Sequence, residues 1–208
     1  ECRQELIEEK YHAPQLKIGV MFEVPAAIFI SHKMMPEIDF CSIGSNDLTQ
    51  YVLAVDRNNT NVSNIYDPLH PAVLQMIKHL VKNCAEVNIP LELCGEMASD
   101  PDGSVILVGL GLRQLSMSAS LIPLVKERMS MFTLSEAEEI ADFALYKAAS
   151  AIEVRQKISR FQISGPESTR SVPLACGLAS GTYPKIFVAA NPKRSYCNRL
   201  GGIMISSN

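Results

Sequence analysis

The chain has 208 residues, enough for one domain with a sizeable core, and its 47% hydrophobic and 20% charged residues fit a globular protein. A net charge of −3 gives no basic footprint for nucleic acid, and no apolar run approaches the ~18 residues of a membrane span. The six cysteines lie far apart without metal-ligand or CxxC spacing, which argues against a zinc site or disulfide framework and for reduced thiols in a cytoplasm.

Residues 1 to 12 are charged and helix-compatible, like the tail of a helix already under way. Ile18 to Glu23 reads as a buried strand, since a short apolar run suits a parallel-sheet core. Pro25 suits the first turn of a helix that continues over Ala26 to Met35. Asp39 to Ile43 is a second strand, and Gly44 permits a tight turn after it. Asp47 to Val55 reads as a short helix, and Asn58 to Pro68, with four asparagines, as a loop. Pro71 to Val87 is amphipathic, with Val73, Ile77, Leu80 and Val81 on one stripe. Leu91 to Cys94 and Gln114 to Met117 are strands joined by a helix over about Pro101 to Leu110. Leu121 to Met131 and Ser135 to Phe161 are helical, the latter with a Ser135/Glu138 capping box. Beyond Phe161 the periodicity stops. Residues 162–208 read as an irregular, mobile tail holding at most one short strand, Ile186 to Ala190, or as an extension from a damaged reading frame.

Each buried strand ends in polar chemistry. Lys17 to Phe22 runs into Glu23, Asp39 to Gly44 into Ser45-Asn46-Asp47, and Leu91 to Leu93 into Cys94-Gly95-Glu96, with Arg57 shortly after the second. Strands that end this way suggest the rim of a βα barrel, where chemistry sits at the strands' C-terminal ends. The set holds carboxylates, an amide, a guanidinium and a thiol, a kit for a metal-bound phosphorylated acid. Glu23 and Asp47 stand at two successive strand ends, and magnesium takes one or two protein carboxylates. From spacing alone a second reading is equally open, in which each merely caps the helix that follows. Arg57 offers a planar fork for phosphate or carboxylate, against the ordinary fate of pairing with Asp56. A lone cysteine is more often a small buried hydrophobe, which is the expectation for Cys41 and Cys84.

Gly44-Ser45-Asn46-Asp47-Leu48-Thr49-Gln50-Tyr51 and Leu93-Cys94-Gly95-Glu96-Met97 look like signatures of one family. From about Leu16 to Arg160 the chain resembles the C-terminal phosphoenolpyruvate-binding domain of Enzyme I of the bacterial phosphotransferase system. Ala54-Val55-Asp56-Arg57-Asn58-Asn59, Asp67-Pro68-Leu69-His70-Pro71 and Leu115-Ser116-Met117-Ser118 separate it from pyruvate phosphate dikinase and phosphoenolpyruvate synthase, the alternative enzymes. A non-catalytic dimerisation or regulatory remnant is the alternative of another class.

The resemblance implies an α/β fold, the C-terminal half of a (β/α)8 TIM-type barrel over residues 1–161 with a C-terminal helix, and the irregular tail has no match in the family. It implies magnesium on Glu23 and Asp47, phosphoenolpyruvate on Asn46, Asp47 and Arg57, a supporting hydroxyl from Ser45, and Cys94 as the acid and base at the pyruvate methyl carbon. It implies a homodimer and transfer to a protein histidine and on to the carrier protein HPr. None of His12, His32, His70 and His79 has the family's phosphohistidine context. The acceptor histidine and further phosphate-binding arginines would lie in sequence upstream of Glu1, so the fragment is expected to be inactive alone. Half a barrel is also expected to leave two open sheet edges and to strand Val20, Phe22 and Leu93 without partners.

Overall fold

The computed structural model describes residues 2–12, 14–163, 187–190 and 203–206. Its frame is a parallel sheet of four strands in sequential order: β1 (Lys17–Phe22), β2 (Phe40–Gly44), β3 (Leu91–Cys94) and β4 (Gln114–Met117). Parallel neighbours need crossovers, and helices supply them. Helix α1 (Cys2–Glu8) precedes the sheet. Helices α2 (Pro25–Phe29) and α3 (Ser31–Met34), followed by a 3₁₀ turn at Met35–Glu37, join β1 to β2. Helices α4 (Ser45–Leu53) and α5 (Pro71–Val87) join β2 to β3, and α6 (Glu96–Ser99) and α7 (Pro101–Leu110) join β3 to β4. Then come α8 (Ile122–Ser130), α9 (Leu134–Tyr146) and α10 (Ala151–Ile163).

Helix starts follow local chemistry. Proline stands at the start of α2, α5 and α7, where its missing N–H costs nothing. Asp100 caps α7 by accepting from the Asp102 N–H at 3.0 Å. His70, which the sequence left without a role, caps α5 through Nδ1, 3.2 Å from the Ala72 N–H. The capping box falls two residues earlier than expected: Thr133 and Glu136 reciprocate, not Ser135 and Glu138. The expected helix over Ala26 to Met35 breaks at Ile30, beyond which the buried Ser31 hydroxyl accepts from Asn83 at 2.9 Å. The expected helix from Ser135 to Phe161 is interrupted over residues 147–150.

The core lies between the sheet and the helices. Phe22, Ile43, Leu93 and Leu115 are in lateral register across β1 to β4, and all four are at most 1% exposed. They meet Val73, Leu74, Ile77 and Leu80 of α5 and the almost wholly buried α7 in one cluster. The expectation that Val20, Phe22 and Leu93 face an empty barrel is therefore overturned. Phe22 and Leu93 are fully buried in this cluster, and Val20 packs partly buried against it. Alternation places Ser42, Glu92 and Gln114, also in mutual register, on the opposite face.

β5 (Phe187–Ala190) pairs parallel to β4, and β6 (Ile203–Ser206) pairs antiparallel to β1. The two expected sheet edges lie one strand further out than β1 and β4, in the order β5-β4-β3-β2-β1-β6. The short strand expected at Ile186 to Ala190 is β5, and β6 is a second strand not anticipated from the sequence. The rest of the expected tail beyond α10, and with it the expected mobility, lies outside the described residues.

Helices α7 and α9 approach closely at Gly109, where an added Cβ would collide with the backbone carbonyl of Ala137. Alanine at this site gains ~1 kcal/mol of helix propensity. Overpacking against rigid backbone costs about 1–3 kcal/mol, and more for larger side chains. Gly109→Val is therefore expected to lower the urea midpoint by an amount reflecting at least the upper part of that range. An unchanged midpoint would show that the two helices separate freely.

Candidate functional site

The C-terminal ends of β1, β2 and β3 gather the polar residues singled out in the sequence. Glu23 follows β1, Asn46 and Asp47 open α4 directly after β2, and Cys94 ends β3. The Glu23 carboxylate lies over Gly44, where an added Cβ would come within 2.5 Å of Oε1. It also meets the carboxylate of Asp47. Burial, the Asp47 charge and a hydrogen bond with Asp47 together raise the Glu23 carboxyl above the ordinary carboxylate range. Two acids forced together in this way are poised for a shared proton or a shared cation. Among the described residues no group of three or more His, Cys, Asp or Glu side chains could hold a metal. A two-carboxylate site nevertheless fits magnesium, which keeps several water or substrate oxygens. The capping alternative is not needed for Glu23, since α2 begins at Pro25 with Val24 as its N-cap residue.

The loops after β2 and β3 are laced together. The Ser45 hydroxyl donates to the Cys94 carbonyl at 2.8 Å, and the Glu96 N–H donates to Asn46 Oδ1 at 3.0 Å. Gly95 makes this approach possible: its φ is +109°, and a Cβ would strike the Ser45 hydroxyl. The Arg57 guanidinium pairs with Glu96 at 3.2 Å rather than with the neighbouring Asp56. Glu96 is 62% exposed, so this pair contributes little to stability and orients the guanidinium cheaply.

Two participants were missed. Gln50 donates from its side-chain amide to Asp47 Oδ1 at 3.0 Å and accepts the Arg57 N–H at 3.1 Å. Its place three residues after Asp47 on a helix was an available signal. The Tyr66 hydroxyl donates to the Asn46 carbonyl at 3.4 Å, and burial, then the Glu96 charge, push its ionisation up. Nothing in the sequence around Tyr66 announced that contact. Cys41 and Cys84, expected to be packing residues, are 1% and 2% exposed.

Beneath the rim, Cys94 Sγ lies 3.5 Å from the Ile43 carbonyl and 3.8 Å from the Ser42 hydroxyl. Glu92, two residues earlier on the same face of β3, is a part-buried acid. Desolvation raises its pKa, and the Ser42 hydroxyl partly offsets this by stabilising the charged form. A carboxyl raised on folding keeps its proton where the unfolded chain has lost it. Its contribution is most favourable at low pH and is lost as pH rises through the folded-state value. Glu92→Gln is therefore expected to flatten the decline in stability between about pH 4 and pH 7. Melting curves of both proteins across that range check it, and parallel curves would contradict it.

The model of the PEP-utilising enzyme, PEP-binding domain, matches residues 1–134. A protein of Escherichia coli strain K12 named "Phosphoenolpyruvate-dependent phosphotransferase system" is 45% identical over 151 residues, 73% of this chain and 20% of its own length. The "Phosphoenolpyruvate-protein phosphotransferase" of Borreliella burgdorferi is 46% identical over 130 residues, 62% of this chain and 23% of its own. That of Haemophilus influenzae is 40% identical over 146 residues, 70% of this chain and 25% of its own. The chain thus spans about a fifth to a quarter of the length of these curated relatives. No helix among the described residues is long and apolar enough to cross a membrane.

Proposed function

The chain belongs to the PEP-utilising enzymes through their PEP-binding domain, and from that premise we propose that it is the C-terminal part of a phosphoenolpyruvate–protein phosphotransferase. The observation that carries the reading is the Glu23–Asp47 contact beside Asn46 and Arg57, on the rim that also presents Cys94. Upstream sequence would supply the first half of the barrel, its phosphate-binding arginines and the acceptor histidine. From that histidine the phosphoryl group would pass to HPr, in a cytoplasmic homodimer.

In this reading Glu23 and Asp47 would hold magnesium. The ion, when bound, neutralises phosphate and carboxylate charge and polarises the oxygens it meets. Arg57 swings from Glu96 to the substrate's phosphate, exchanging one exposed carboxylate for a more highly charged partner. Asn46 is held by the Glu96 N–H through Oδ1, which leaves its amide N–H₂ free to donate to substrate. Gln50 keeps Asp47 and the Arg57 backbone in fixed relation. Cys94 gives its proton to the methylene carbon of enolpyruvate after the phosphoryl group has left. Transfer of this kind depends on positioning and charge neutralisation more than on covalent chemistry by the protein.

The test is labelled-phosphate transfer from phosphoenolpyruvate to a protein histidine, with the upstream sequence restored. Magnesium-dependent labelling is expected, and none under any divalent ion would sink the proposal. Within that assay Arg57→Ala removes charge-assisted hydrogen bonds worth about 1.5–3 kcal/mol, so kcat/KM for phosphoenolpyruvate is expected to fall about ten- to a hundredfold. A wild-type value would remove Arg57 from the substrate site.

A further inference from the structure

We propose that Ser42 and Glu92 form a proton relay that recharges Cys94, a positioning and proton-supplying pair lying beneath the rim. The inference rests on the reading of Cys94 as the acid at the methyl carbon. Once Cys94 has given up its proton, its thiolate has to be reprotonated before the next turnover, or in the reverse direction has to pass a proton on. The Ser42 hydroxyl is a side-chain donor that reaches Sγ, at 3.8 Å, and Ser42 is 0% exposed. That hydroxyl also reaches the Glu92 carboxyl. Ser42 and Glu92 are register partners on adjacent strands, and Glu92 and Cys94 share one face of β3 two residues apart.

One hydroxyl proton therefore serves two acceptors in turn. With a thiolate present it points to Sγ, and with a carboxylate present it points to Glu92. In the recharging step the Glu92 carboxyl gives its proton to Ser42 Oγ, while the Ser42 O–H proton passes to the Cys94 thiolate. The S–H bond forms, the carboxyl O–H bond breaks, and the Ser42 hydroxyl ends as it began. Glu92 is part-buried rather than sealed, so its carboxylate regains a proton from water. No oxidant or other reactant is required. The register neighbours of Glu92 on either side, Ser42 of β2 and Gln114 of β4, carry no charge, and Cys94 lies two residues on along the same face of β3. Desolvation keeps the Glu92 carboxyl protonated to higher pH than an ordinary glutamate, which suits a reservoir.

The measurement is deuterium uptake into the pyruvate methyl group from heavy water, with the upstream sequence restored, alongside phosphate exchange with the carrier protein. Glu92→Gln and Ser42→Ala are each expected to slow methyl exchange about tenfold, less than loss of the acid itself. Phosphate exchange should not change, the double variant should be no slower than either single one, and Ser42→Thr should restore the rate. Cys94→Ala in the same assay separates the two claims. If it abolishes exchange while Glu92→Gln proceeds at the normal rate, the relay is overturned and the Cys94 reading stands. If Cys94→Ala leaves exchange intact, both are overturned. A second readout needs only the 208-residue chain: the pH profile of Cys94 alkylation by iodoacetamide, located by peptide mass. Where Glu92 is ionised its charge disfavours the thiolate, so Glu92→Gln is expected to speed alkylation about threefold in the alkaline part of the profile and to leave the acid part unchanged. An unchanged profile would overturn the coupling.

Discussion

Asp47→Ala, with upstream sequence restored, is expected to abolish magnesium-dependent phosphorylation by phosphoenolpyruvate. Asp47 meets the Glu23 carboxylate on one side and the Gln50 amide on the other, so its loss removes half of the proposed ion site and unfastens the loop that carries Arg57. A metal supplies several kcal/mol of charge stabilisation in such a transfer, and each 1.36 kcal/mol is a factor of ten. The expected loss is therefore about a thousandfold. Raising the magnesium concentration should recover part of it if binding is the main deficit. Asp47→Asn, which keeps the shape but drops the charge, should behave almost as badly. Unimpaired phosphorylation in either variant would leave Asp47 as a helix-start residue and nothing more.

Cys94→Ala is expected to separate the two halves of the reaction. Protonation of the methyl carbon should fall by about 10²–10⁴, the usual contribution of a positioned acid. Phosphate exchange with the carrier protein should be spared, because that half-reaction moves no proton to carbon. The cavity left is small, and Cys94 is not among the fully buried side chains, so folding should not confuse the result. If carbon protonation continues at its normal rate, Cys94 is a packing residue like Cys41 and Cys84.

Much of the frame was legible because local chemistry marked its boundaries. Strands β3 and β4 fall at the residues expected, and proline fixes the start of both α5 and α7. Of the candidate site residues, Glu23, Asn46, Asp47 and Cys94 were picked out because each stands at or just past a strand end, whereas Arg57 lies in the loop after α4. What failed is equally specific. Thr133 and Ser135 both stand three residues before a glutamate, so two capping boxes compete in the sequence, and only the geometry of chain entry chooses the first. The inward and outward faces of the strands were exchanged in the reading of Phe22 and Leu93. Parallel strands are buried on both faces, so alternation shows that two faces exist without saying which one the helices cover. The Arg57–Glu96 and Tyr66–Asn46 contacts join loops 39 and 20 residues apart in sequence, a distance over which no periodicity speaks.

Arg155 of α10 reaches Asp67, before α5, with its Nη2 2.9 Å from Oδ1, and reaches Asp100, ahead of α7, at 3.4 Å. Those aspartates belong to the stretches that follow the site loops of β2 and β3. The last helix among the described residues is thus a clasp across two neighbouring βα units, although the family match ends at residue 134. Anyone choosing where to cut this polypeptide for expression, fusion or exchange with a relative would lose the clasp by stopping at that point. A cut that keeps α10 keeps the clasp, and one that also keeps β5 and β6 keeps the strands paired to β4 and β1, so the boundary is better set by such contacts than by resemblance.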